Sequence, residues 1–408
     1  MLRLSGLVLF SKLLIAGLNF CTIILISRFL GPVEKGVCSW YLVIIAISLV
    51  FSEMISGPTA GFLINRFNIK QVRFISYTWS VVSSFSIITL FYLLNKVNSF
   101  EACILFFLCW LNAANTIHQH LFLAVQNFRW FNSLSVLAPL LVVCLLIVFL
   151  LSGFQKLDAY LYSLFVGWSL AFIAGYLVLN RVKNRNRADF PLLEIVKEGF
   201  RKGVTNQASH LVSLLNSRLI FFLLPATILG VYSNALSLAE ASMMIPGSLG
   251  QVMYASILNK NTDKAGNVQM NFWITTGLSL SILIFVLIIP GELYQAIFGE
   301  SFAGVKSFLV YLSGAMIFLS GYLLLSYWQS AHGRFLQNLH ANLFALFTNG
   351  LISVFFILKG TYSIEKGILA MFIALVVQML VSMVQFHSAS NRYDQPVDRA
   401  GKPILNTD

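Results

Sequence analysis

Charge is what this chain has least of. Its 27 Lys+Arg and 15 Asp+Glu amount to 10% of 408 residues, where a soluble protein carries about 25%. So little charge cannot cover a water-exposed surface of this length, which excludes a soluble enzyme. The apolar content equally excludes a disordered chain or a fibrous repeat. Cysteine is scarce too: Cys21, Cys38, Cys103, Cys109 and Cys144 all fall inside apolar stretches. Five is an odd number, no CxxC spacing occurs and no histidine cluster accompanies them, so neither a disulfide framework nor a metal site is expected. A Walker P-loop (GxxxxGK[ST]) is missing, which excludes ATP as a driving force from this chain. A nucleophile elbow and a DxD-bearing loop of useful size are missing as well. No catalytic residue and no cofactor are expected, and the chain is not read as an enzyme.

What the chain does have is apolar length. Hydrophobic residues make up 58%, aromatics 14%, and the mean hydropathy is +0.81. A membrane span needs about 20 mostly apolar residues, so the total suffices for about a dozen helices and little else. Apolar runs and polar breaks place spans at roughly 5–27, 37–63, 74–95, 102–125, 133–153, 159–180, 203–224, 227–256, 269–290, 303–328, 339–358 and 364–388. Runs of this length without strict alternation exclude a β-barrel. The positive start is read as an uncleaved first span, because its apolar run continues to Ile26 without a small-residue cleavage site. The expected fold is an all-α integral membrane protein with about twelve transmembrane helices in two pseudo-repeated six-helix bundles around a central cavity.

The net charge of +12 suggests nucleic acid in a soluble protein, but here it reports topology. With the N-terminus cytoplasmic, most basic residues fall on cytoplasmic segments, including Arg66, Lys70, Arg73, Lys260, Lys264, Arg399 and Lys402, and no nucleic-acid partner is expected. The opposite side holds far fewer, among them Lys35 and Lys359. Both termini are therefore expected inside. The longest polar stretch, Arg181 to Gly203, carries Lys183, Arg185, Arg187, Lys197, Arg201 and Lys202 against Asp189, Glu194 and Glu198. It reads as a solvated midpoint linker. The expected organisation is an N-terminal bundle at 1–181, a basic linker at 182–202, a C-terminal bundle at 203–388 and a polar tail at 389–408.

Short internal repeats support that midpoint. FLGPVEKGVCSWY (Phe29 to Tyr41) resembles FLLPATILGVYSNA (Phe222 to Ala235), most clearly in Gly36-Val37-Cys38-Ser39 against Gly230-Val231-Tyr232-Ser233. Arg129-Trp130-Phe131-Asn132 likewise matches Arg334-Phe335-Leu336-Gln337. Repeated halves are a recurring transporter design.

An ionised side chain in mid-span costs about 2.5–3.5 kcal/mol on insertion scales, so each is a functional candidate. Lys12, Glu53, Arg218 and Glu240 qualify. Glu53 stands five residues before Pro58 and Glu240 six before Pro246, which puts an acidic group beside a helix break in each half. Both are candidates for coupling an ion. Arg218 stays protonated and must face a cavity, a carboxylate or a phosphate, with Glu240 on the next span as candidate partner. An internal ion pair and a substrate contact are both consistent with it. Lys12, which can snorkel to the cytoplasmic surface, and Arg28 add cationic candidates. Asn112, Asn115, Thr116 and Gln119 share one face of the fourth span, flanked by His118 and His120. Asn338, Asn342 and Asn349 align on the eleventh. Such stripes either bond helix to helix or line a polar cavity. His118 and His210 either pack between helices or carry protons.

The hairpin SRFLGPVEKGVCSWY, its echo LPATILGVYSNA, and the segments QNFRWF and AHGRFLQN resemble the polysaccharide transporters of the multidrug/oligosaccharidyl-lipid/polysaccharide exporter superfamily. In length, span number and phenylalanine content, the chain is most similar to the O-antigen (Wzx-type) flippases. The resemblance covers essentially the whole chain and implies a bacterial inner-membrane protein that moves undecaprenyl-diphosphate-linked oligosaccharide from the cytoplasmic to the periplasmic leaflet. A polysaccharide polymerase and a chain-length regulator are the protein partners it implies, with membrane lipid around. On that expectation Arg218, Arg28 and Lys12 face the diphosphate or an acidic sugar, and Asn112, Asn115 and Asn342 bond hydroxyls. A drug or metabolite/cation antiporter of the same superfamily is the alternative. A membrane polymerase or glycosyltransferase is the alternative of another class.

Overall fold

The structure is a computed structural model that describes residues 2–57, 59–154, 156–182, 190–258 and 265–393. Pro58, the linker residues Lys183, Arg185, Arg187 and Asp189, the loop lysines Lys260 and Lys264, and the tail residues Arg399 and Lys402 lie outside the described residues.

The described residues form helices and no strand. In chain order these are α1 (Leu2–Ser56), α2 (Ala60–Arg66), α3 (Ile69–Leu93), α4 (Ser99–Ala124), α5 (Phe128–Leu151), α6 (Lys156–Asn180) and α7 (Leu192–Leu223). There follow α8 (Ala226–Ser242), α9 (Met244–Leu258), α10 (Ala265–Ile288), α11 (Gly291–Phe298), α12 (Val305–Ala331), α13 (Phe335–Leu358) and α14 (Ile364–Tyr393). Nine stretches of the described residues are long and apolar enough to cross a membrane, ten when the bent pair α8–α9 is taken as one span. Two reasons reconcile ten with twelve. α1 runs through both of the first two expected spans, and α7 carries the polar Asn206, Gln207, His210, Asn216 and Arg218 beyond its charged first turns. The protein is a multi-pass membrane protein.

Local chemistry explains the punctuation. Gly31 sits inside α1 at φ 79, a left-handed conformation that only glycine adopts cheaply, and Pro32 follows, where its missing N–H begins the next helical segment at no cost. The expected loop at residues 28–36 is therefore a kink of one residue. At the start of α4, Asn98 accepts from the Glu101 backbone N–H at 2.9 Å while Glu101 accepts from the Asn98 N–H at 2.8 Å. This is a complete capping box. The other Glu101 oxygen takes the Tyr41 hydroxyl at 2.7 Å, which ties α4 to α1. α8 and α9 meet at a 41° bend, just ahead of Pro246, as a proline-induced break requires.

By its own packing the chain separates into two compact units. Unit 1 comprises Met1–Leu211, Pro225–Val231 and Gln295–Phe302, and unit 2 comprises Val212–Leu224, Tyr232–Tyr294 and Ala303–Asp408. The core of unit 1 is built on Leu63, Phe67, Val72, Leu121, Phe122 and Ile195. Serines join α1 and α3, with Ser48 donating to Ser84 at 3.2 Å and Ser52 and Ser83 at 2.7 Å. Hydrogen bonds between small side chains suit lipid, where no hydrophobic drive separates helix from tail. In unit 2, Leu324, Leu325 and Trp328 of α12 pack with Met253 of α9 and Ala389 of α14.

Unit 1 is pinned by glycines. A Cβ on Gly36 would lie 1.9 Å from the Ala226 carbonyl oxygen, and one on Gly230 would lie 1.9 Å from the Pro32 carbonyl oxygen. Each partner is four residues from the other glycine, so the contact is reciprocal, and the two segments are the matched repeat itself. Near the far end of α1, a Cβ on Gly203 would lie 1.9 Å from the Met54 carbonyl oxygen. Backbone cannot yield as a side chain does. Gly36→Ala, Gly230→Ala and Gly203→Ala are each expected to destabilise the purified protein by about 1–3 kcal/mol, read as a lowered thermal midpoint. Gly17→Ala, where a Cβ meets nothing within 4 Å, should not.

Candidate functional site

Each carboxylate candidate meets a partner, one in each unit. In unit 2, Arg218 of α7 meets Glu240 of α8 through both arms of its guanidinium, Nη1 to Oε1 at 2.7 Å and Nη2 to Oε2 at 2.9 Å. The Arg218 side chain is 18% exposed and that of Glu240 is 39% exposed, so the carboxylate is the wetter partner and the one open to competition. Phe221, one turn along α7, lies with its ring centroid 5.9 Å from the guanidinium carbon. Glu240 ends its helix two residues later, and the Met243 N–H bonds back to the Glu240 carbonyl at 3.0 Å. The ion pair therefore sits on the hinge between α8 and α9. A planar fork held at a bend can exchange a carboxylate for another two-oxygen anion such as a phosphate.

In unit 1, Glu53 of α1 meets His120 of α4, Oε1 to Nε2 at 3.2 Å, with both side chains near one-fifth exposed. His210 of α7 is exposed and lies within electrostatic reach of the same carboxylate. Glu53 stands three residues before the end of α1, and its carbonyl accepts the Gly57 N–H at 3.0 Å. The expected pairing of an acidic group with a helix break is thus present at Glu53, although Pro58 itself is outside the described residues.

The remaining candidates are engaged in different ways. Arg28 donates Nε–H to the Ile297 carbonyl at 2.8 Å and bonds the Ala296 carbonyl as well. A cation over the last carbonyls of α11 meets the negative end of that helix dipole. Lys12 is half-buried on α1. Asn115 uses its amide to bridge the Leu111 and Trp168 carbonyls, each at 3.0 Å, which joins α4 to α6. Asn112 is half-buried, and its carbonyl takes the Thr116 hydroxyl at 2.9 Å. Asn342 accepts from Gln378 of α14. Asn349 donates to the Asn216 carbonyl at 3.0 Å and to its side-chain oxygen at 2.9 Å. Buried asparagines along both stripes thus bond from helix to helix.

His118 belongs to the packing. It is 1% exposed, bonds the Tyr77 hydroxyl and stacks on Phe172 with centroids 5.3 Å apart and planes 16° off parallel. A Cβ on Gly175 would lie 2.3 Å from its Nδ1, so that glycine makes room for the ring. Its neighbour His120, two residues on, points to Glu53 from another face of α4. The sequence could not separate the two histidines. It also placed Lys35 among the outer connections, whereas the side chain is 3% exposed, beside the Gly36 contact.

No protein-family model matches this sequence, and no curated protein matches it either. Solved structures do. An inward-facing multidrug resistance MATE family transporter of the MOP superfamily aligns over 92% of this chain and 94% of its own, at TM-score 0.69 and 14% identity. The lipid II flippase MurJ, in an inward closed conformation, aligns over 96% and 90% at TM-score 0.71 and 12% identity. A MOP superfamily transporter from Pyrococcus furiosus aligns over 97% and 96% at TM-score 0.59 and 15% identity. The chain shares the fold of these transporters. At these identities the likeness is one of fold.

The two neighbouring histidines of α4 give a test. His118→Ala should open a cavity against Phe172 and Gly175 and destabilise by about 2–4 kcal/mol, whereas His120→Ala, at a partly exposed position, should cost under about 1 kcal/mol. Thermal unfolding of the two purified variants measures the difference.

Proposed function

We propose that this protein is a flippase that carries undecaprenyl-diphosphate-linked oligosaccharide, the O-antigen or polysaccharide repeat unit, from the cytoplasmic to the periplasmic leaflet by ion-coupled alternating access. The observation that carries this reading is the two-armed Arg218–Glu240 pair in the membrane-spanning part of a MOP fold. A lipid-linked saccharide needs a cation that can meet its diphosphate and a lipid-accessible path for its tail. Arginine meets phosphate in the same planar geometry in which it meets a carboxylate. Protonation of Glu240 releases Arg218 to the diphosphate, and loss of the proton returns it, so that two anions compete for one cation at the α8–α9 hinge.

The rest of the expectation follows from that reading. The chain works as two six-helix halves, residues 1–181 and 203–388, joined by the basic linker 182–202, with both termini cytoplasmic in the bacterial inner membrane. Lys12 and Arg28 are further cationic contacts along the path, and Asn112, Asn115 and Asn342 meet sugar hydroxyls when their helices rearrange. Glu53 is the ion-coupling carboxylate of the other unit. A polymerase and a chain-length regulator receive the flipped unit. That a multidrug MATE transporter shares the fold favours export of an organic cation as the second reading, but a buried arginine repels such a cargo.

Deletion of the gene should abolish long surface polysaccharide while single lipid-linked units accumulate inside. Complementation with Glu240→Gln or Arg218→Ala should give near-normal protein abundance without export, and Arg218→Lys should rescue poorly. A charge swap, Arg218→Glu with Glu240→Arg, that restored full export would reduce the pair to helix packing. Single units displayed on lipid A in the deletion strain would move the block to polymerisation, and restored efflux of a cationic dye would favour the second reading.

A further inference from the structure

The end of unit 1 where α3 begins carries more positive charge than the carboxylates beside it take up. Arg66 is held by Glu194 at 2.6 Å and Arg201 by Glu198 at 2.7 Å. Arg73 is held differently. Its Nη1 donates to the side-chain oxygen of Asn180, the last residue of α6, at 2.7 Å, and its guanidinium carbon lies 5.2 Å from the Tyr176 ring centroid. Both partners are neutral, so the cation is positioned without being cancelled, and the amide oxygen takes one of five guanidinium donors. Lys70, one turn before Arg73 on α3, and Arg181, which follows Asn180, are both exposed.

We propose that Arg73, with Lys70 and Arg181 beside it, binds the phosphate of an anionic membrane phospholipid whose chains lie along α6. The lipid is held and not carried, so the inference stands apart from the flippase reading.

The apolar surface has the matching shape. Leu170, Ile173 and Leu177 are 45%, 51% and 56% exposed, and their spacing of three and four residues puts them in one stripe along α6. Asn180, three residues beyond Leu177, continues that stripe to the bond with Arg73. An apolar stripe that ends at a cation has the polarity of a phospholipid, tail to head.

The depth matches as well. α3 and α6 are both long and apolar enough to span a membrane, and Arg73 lies in the second turn of one while Asn180 closes the other, so their bond stands at headgroup level. Gln71 donates its side-chain N–H to the Phe190 carbonyl at 3.0 Å and accepts the Phe190 N–H at 3.3 Å, which brings the start of α7 to the same level. There Leu192 and Leu193 are 44% and 78% exposed next to the charged Glu194 and Lys197. Exposed leucines among charges are the pattern of a helix turn lying in the headgroup boundary.

Charge selects the class of lipid. The planar fork of arginine matches two phosphate oxygens, and basic residues at a span end draw anionic lipid toward them. A zwitterionic headgroup brings its own ammonium against three cations. A free phosphate ion leaves the leucine stripe uncovered.

The test uses the purified full chain and native mass spectrometry. Offered phosphatidylglycerol and phosphatidylcholine of the same acyl chains in equal amounts, the wild type should retain phosphatidylglycerol. Arg73→Gln should lower that retention about five-fold, the effect of one cation near an anionic headgroup, and phosphatidylglycerol should raise the thermal midpoint of the wild type but not of this variant. Arg129→Gln, at an exposed basic position at the start of α5, on the side of the membrane to which α4 returns, should keep both effects. That control separates a site from the general attraction of a basic surface. Because Arg73→Gln also removes the bond between α3 and α6, the double variant Lys70→Gln with Arg181→Gln, at two exposed positions, should lose retention at least as strongly while its midpoint without lipid stays at the wild-type value. Equal retention of the two lipids by the wild type, an equal loss with Arg129→Gln, an unchanged preference in either site variant, or displacement of the lipid by inorganic phosphate would each overturn the assignment.

Discussion

The whole of unit 1 depends on backbone touching backbone along α1. Pro32 and Gly36 meet Ala226 and Gly230 at one place, and Met54 meets Gly203 near the other end. In lipid, tails compete with side chains for every apolar surface, so helices are held by close packing and hydrogen bonds. Glycine provides the first by letting a carbonyl oxygen sit where a Cβ would stand. The serine pairs of α1 and α3 provide the second. Glu53 lies one residue from that Met54 contact and meets His120 of α4.

The charged clusters follow from the same environment. An ion in the bilayer costs several kcal/mol unless it finds a partner, and among the described residues Arg218 and Glu53 each find one on a different helix. The two pairs differ in chemistry. Arginine cannot release its proton, so the Arg218 site changes only when Glu240 is neutralised or displaced. The Glu53 site pairs its carboxylate with an imidazole instead, at 3.2 Å. Both pairs stand beside a helix end or bend, at Gly57 and before Pro246.

Much of the architecture was legible in the sequence because hydropathy dominates in lipid. Eleven of the twelve expected spans lie in helices that pass by length and composition, two of them in α1, and the seventh fails because α7 carries Asn206, Gln207, His210, Asn216 and Arg218 beyond its charged first turns. The first break was expected over residues 28–36, yet Gly31 and Pro32 turn the chain in a single residue and Lys35 is buried. Arg218 with Glu240 was legible because they lie on consecutive spans, 22 residues apart. Glu53 with His120 was not, since 67 residues separate them and nothing in a single chain announces a contact at that range. The repeat was legible as a repeat, 194 residues from Gly36 to Gly230, but a repeat does not say that its two copies touch each other.

Reconstitution tests the central claim most directly. The purified full chain is placed in liposomes that carry a fluorescent undecaprenyl-diphosphate-linked oligosaccharide in the inner leaflet only, and a membrane-impermeant quencher reports arrival in the outer leaflet. Quenching is predicted to rise with wild-type protein, to rise faster across a proton gradient, and to stay at the protein-free level with Arg218→Ala. Wild-type liposomes indistinguishable from protein-free ones would contradict the account.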